Sequence, residues 1–108
     1  MDTKVIKSDE VLNFSTEAII HKKSFFNKKE YKLELLQKVS ILTTDQGPVF
    51  DDVALAFFLG EIVLILPSEH RCYQKIYDDI SESLSLNYKN VIKAMSSAEN
   101  EEFIIWEK

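Results

Sequence analysis

The residues best suited to chemistry in this 108-residue chain are carboxylates. Asp45, Asp51 and Asp52 fall within one short segment, and Glu61 and Glu69 follow it. Converging carboxylate oxygens hold hard cations, and cations held this way can drive phosphodiester hydrolysis. The segment lacks the Asp-x-Asp-x-Asp-Gly run of a calcium loop. Glu61 is followed by Ile62 and Val63, so a nuclease-type Glu-x-Lys is missing there, and Glu30-Tyr31-Lys32 matches it over only three residues. Solvation and turn formation explain these carboxylates with fewer assumptions. A small metal-dependent hydrolase using Asp45, Asp51, Asp52 and Glu69 is the alternative function. No metal site, cofactor or catalytic residue is expected.

Two other groupings have chemical potential. His70 lies near Cys72, the single cysteine, as a nucleophile and base would. On a helix their side chains would stand about 200° apart, which favours a packed thiol. One cysteine gives neither an internal disulfide nor a thiolate zinc site, and a cytoplasmic location is expected. Lys22, Lys23, Lys28 and Lys29 bracket Phe25 and Phe26, the mixture that single-strand nucleic acid binding uses. With an acidic remainder, a solvated hairpin tip whose aromatic pair turns inward is expected instead.

These residues must be positioned by the elements around them. The clearest is the apolar ribbon 53–66, interrupted by Gly60-Glu61. Glycine at the first loop position suits a two-residue type II′ turn, which makes the ribbon a hairpin. Neither arm alternates with polar residues, so both faces should be covered. At fourteen residues the ribbon is shorter than the roughly 20 needed to span a bilayer. Residues 1–10 are mixed and charged, with no apolar signal region after them.

Before the ribbon, 11–14, 18–21 and the alternation from Tyr31 to Leu36 predict strands, with Ser15-Thr16-Glu17 as a turn and 27–30 as punctuation. Val39 to Leu42 predicts another strand, and 43–52 a loop. After the ribbon, Ser68 is placed to cap a helix over 68–84, with Tyr73, Ile76, Tyr77, Ile80 and Leu84 as its apolar stripe. A second helix over 87–97 has Asn87 as cap, Leu86 and Val91 as a staple, and Val91, Ile92 and Met95 as its apolar face. A final strand spans 102–107. The prediction is a single α+β domain over 1–108, with an antiparallel sheet around a central hairpin.

Charge is divided unevenly along the chain. Residues 1–44 carry eight Lys and six Asp/Glu, whereas 45–108 carry five Lys/Arg and twelve Asp/Glu, within a net charge of −5. An acidic surface repels phosphates and attracts basic partners.

The pattern Thr43-Thr44-Asp45-Gln46-Gly47-Pro48, Asp51-Asp52-Val53, Pro67-Ser68-Glu69, Ile92-Lys93-Ala94-Met95-Ser96-Ser97, then Asn100, Phe103 and Trp106, resembles a group of small uncharacterised bacterial proteins. The resemblance covers about 40–108 and carries over no catalytic residue. In size and acidity the chain is also similar to immunity proteins of toxin systems. A non-enzymatic binding protein that neutralises a basic toxin domain is therefore expected, with Asp45, Asp51, Asp52, Asp78 and Asp79 facing it. A homodimer through the hairpin is a further possibility. Neither nucleic acid nor membrane is expected as a partner.

Overall fold

The apolar ribbon folds back on itself at Gly60. In the computed structural model, which describes residues 2–44, 53–97 and 99–108, strands β6 (Val53–Leu59) and β7 (Ile62–Pro67) pair antiparallel with Leu59 opposite Ile62. Gly60 has φ +64, and no other described residue has positive φ. Positive φ at the first loop position alone is the type II′ geometry.

Around this hairpin the chain runs β1 (Asp2–Val5), β2 (Val11–Phe14), β3 (Ala18–Lys22), β4 (Lys28–Lys32), a 3-10 turn (Leu33–Leu35) and β5 (Leu36–Thr43) before it. After it come α1 (Tyr73–Ser83), α2 (Tyr88–Met95) and β8 (Glu101–Glu107). One sheet has the order β1-β7-β6-β5-β8, and a second has β2-β3-β4. The fold is α+β, as the sequence predicts. All pairings are antiparallel except β1 against β7, which run parallel. Strand β1 is not evident from the sequence, because Asp2 and Lys4 hide a strand whose edge position tolerates charge.

Register divides the five-stranded sheet into two faces. Val39, Ile41, Leu55, Phe57, Leu59, Leu64 and Leu66 share one face and are buried. They join Leu12, Phe14, Ile19 and Tyr31 of the small sheet, Ile76 and Ile80 of α1, and Val91 and Ala94 of α2 in one core. The opposite face carries Ala54, Ala56 and Phe58 of β6 beside Lys38 and Ser40 of β5. The helices do not lie on that face, since Ile41 and Val53 of the first face floor the groove between them. It is sheltered by its own side chains. Lys38 lies 4.2 Å from the Phe58 ring centroid, and Glu102 accepts from Ser40 Oγ at 2.6 Å and pairs with Lys38 at 3.0 Å. Among the described residues, the helices cover one face only, although Ser40, Ala56 and Val63 are buried on the other.

Several boundaries differ from the sequence reading. Residues 28–30 belong to β4, whereas Leu33–Leu35 form a 3-10 turn inside the expected strand. Helix α1 begins at Tyr73, five residues after Ser68. The cause is His70, which is buried. Its Nδ1 accepts from the Cys72 amide at 3.0 Å, so Nε2 carries the proton and donates to the carbonyls of Lys7 and Glu10, both at 3.0 Å. The imidazole ties the approach to α1 to the β1–β2 connection, and the helix starts beyond that tie. Helix α2 is shorter than 87–97, but Asn87 caps it as expected, accepting from the Asn90 amide at 3.1 Å. Leu86 and Val91 are both buried, as a staple requires. Among the described residues, no helix is long and apolar enough to cross a membrane.

Candidate functional site

The two helices leave a groove over the sheet. Tyr73 and Tyr77 of α1 and Val91, Ala94 and Met95 of α2 form its walls, and Ile41 and Val53 its floor, enclosing about 320 Å³. Tyr73 and Tyr77 stand one turn apart in the apolar stripe of α1, while Ile76 and Ile80 anchor that helix in the core. Burial pushes the Tyr73 phenol up to about 12, and the neighbouring Tyr77 adds to the shift. The hydroxyl therefore stays neutral at physiological pH and remains a hydrogen-bond donor. Two phenols and the Gln74 amide are the polar edges of an otherwise apolar lining. Such a lining suits an apolar side chain with a nearby backbone carbonyl.

Helix α2 extends the groove outward. Tyr88, Ile92 and Met95, spaced i, i+4 and i+7, are 51, 67 and 79 % exposed. The expectation that Ile92 and Met95 turn inward is corrected: α2 has two apolar stripes, and Val91 and Ala94 form the buried one. Asn90 decides between them. Its side-chain amide donates to the Ile104 carbonyl of β8 at 2.7 Å and fixes the roll of the helix. Since Met95 both lines the groove and is exposed, groove and outer stripe form one surface.

Of the carboxylates expected to face a partner, Asp78 is exposed and accepts from Gln74 Nε2 at 2.9 Å, which places it at the groove rim. Asp79 is half-buried and paired with Lys75 at 3.0 Å, so its charge is largely offset locally. Asp45, Asp51 and Asp52 lie outside the described residues. Glu69 is exposed in the turn before α1. Among the described residues, no group of three or more His, Cys, Asp or Glu side chains could hold a metal ion. His70 has both ring nitrogens engaged with backbone, so it does not serve as a free base for Cys72.

Sequence reasoning missed a buried pair. Glu10 Oε1 accepts from His21 Nε2 at 3.0 Å and from the Lys7 amide at 2.9 Å. Burial pushes the Glu10 carboxyl up, but these donors outweigh it and hold the group below its ordinary value. The 11-residue separation carried no local signal, because β2–β3 pairing brings the two together.

Neither a family model, nor a curated protein, nor a solved structure matches this chain.

Proposed function

We propose that the protein is a non-enzymatic binding protein whose contact surface is the α1–α2 groove with the outer stripe of α2. The observation that carries this reading is the exposure of Tyr88, Ile92 and Met95 in one row that runs into the groove. Helices that leave an i, i+4, i+7 apolar row uncovered are suited to pack against a partner's apolar segment. Asp78 at the rim, with Glu82 one turn further along α1, favours a partner basic at its edge. The most concrete version is an immunity protein that covers the working surface of a basic toxin domain.

Co-expression with the product of the adjacent gene tests this reading. A stoichiometric complex and rescue of growth are expected. Absence of both removes the immunity version, and a complex that survives Ile92→Asp with Met95→Asp unchanged removes the assigned surface.

A further inference from the structure

A second surface lies at the tip of the β3–β4 hairpin and is independent of the groove. The sequence predicts an aromatic pair turned inward, but Phe25 and Phe26 are 82 and 93 % exposed. Their rings meet edge to face at 4.9 Å between centroids and 80° between planes. The turn is held from below by Lys23 N donating to the Asn27 carbonyl at 2.8 Å. The phenyl rings therefore stand on a closed loop rather than a loose one. Behind them the register sets Lys22 directly opposite Lys28, and Lys23 and Lys29 flank that pair.

Residues 22–29 hold four lysines and no acid, in a chain of net charge −5. Like charges facing each other across a strand pair are destabilising unless an anion lies between or beside them. Among the described residues no carboxylate pairs with any of the four. Apolar rings at the apex with cations one step behind match the order of a lipid surface, acyl chains beneath anionic headgroups.

We infer that this hairpin tip is a contact for an anionic phospholipid bilayer, with Phe25 and Phe26 entering the headgroup boundary and Lys22, Lys23, Lys28 and Lys29 holding the phosphates. The charge distribution sets a tip-first approach, because the acidic remainder is repelled by the same surface. Single-stranded nucleic acid fits less well. Its sites span several nucleotides and would run past the tip alongside acidic surface.

Vesicle co-sedimentation of the full chain tests the inference, using phosphatidylcholine alone and phosphatidylcholine with about 30 mol% phosphatidylserine. The wild-type chain is expected to bind the anionic vesicles, with bound fraction falling at least about tenfold between about 0.05 and 0.5 M salt. Phe25→Ser with Phe26→Ser is expected to lower binding by at least about tenfold. The same variant should unfold at the wild-type urea midpoint, since both rings are exposed. Phe26→Trp should add an emission that shifts blue on anionic vesicles only. Equal binding to neutral and anionic vesicles, unchanged binding by the double serine variant, or binding of an oligothymidylate in place of vesicles would each overturn it. Groove variants should leave vesicle binding intact, which separates this surface from the proposed protein contact.

Discussion

At the scale of single residues, the fold concentrates its polar risk in a few buried groups. Glu10 accepts two hydrogen bonds on one oxygen inside the protein, and its carboxyl is held below the ordinary value. A depressed carboxylate contributes stability above its unfolded pKa and loses it as pH falls through the folded one, because the unfolded chain then binds the proton more readily. Urea midpoints should therefore drop below about pH 5 in the wild type and less steeply in Glu10→Gln. At neutral pH, Glu10→Ala should cost about 2–3 kcal/mol, since it strands the Lys7 amide and the His21 donor. Tyr31 shows the opposite case. Its hydroxyl is buried and has no hydrogen-bond partner among the described residues, and burial raises its pKa. Tyr31→Phe removes the unmet group and keeps the ring, so the variant should equal or exceed wild-type stability, by up to about 1 kcal/mol. A clear loss in chemical denaturation would mean that the hydroxyl is satisfied.

At the scale of elements, the hairpin turn is the most demanding backbone feature. A Cβ on Gly60 would meet nothing within 4 Å, so Gly60→Ala carries no clash and tests the φ of +64 alone. A loss of about 1–2 kcal/mol by urea denaturation is expected. This turn was legible because a glycine between two apolar runs has few other uses. The cap and staple of α2 were legible for a similar reason: Asn87, Leu86 and Val91 act within five residues of one another. What stayed hidden depends on distant contacts. The start of α1 is set by His70 reaching carbonyls about sixty positions away, and the roll of α2 by Asn90 reaching β8. Periodicity finds two adjacent apolar stripes on α2 but cannot say which one the sheet takes. The groove, which needs α1, α2, β5 and β6 together, was likewise outside local patterning, although its tyrosines and Val91 were read as apolar positions. Phe25 and Phe26 point outward against expectation because apolar character does not by itself imply burial: buried residues are mostly apolar, but apolar residues are not always buried.

At the scale of the whole molecule, one core carries two outward-facing surfaces. The buried apolar cluster lies on one face of the five-stranded sheet, and of α2 only Val91 and Ala94 belong to it. The basic tip of 22–29 and the acidic helix α1 belong to different parts of one chain. Encounter with a basic partner through the rim should slow as salt rises from about 0.05 to 0.5 M, with little change in dissociation. Stopped-flow association with the adjacent-gene product checks this. The central claim is that the uncovered row on α2 is a binding surface and contributes nothing to folding. Calorimetric titration of that product with the wild-type chain and with the Ile92→Asp, Met95→Asp variant tests it most directly. A one-to-one complex is expected for the wild type, weakened at least about a hundredfold in the variant, with folding stability changed by less than about 0.5 kcal/mol. Equal affinity for both proteins, or a variant that unfolds, would contradict it.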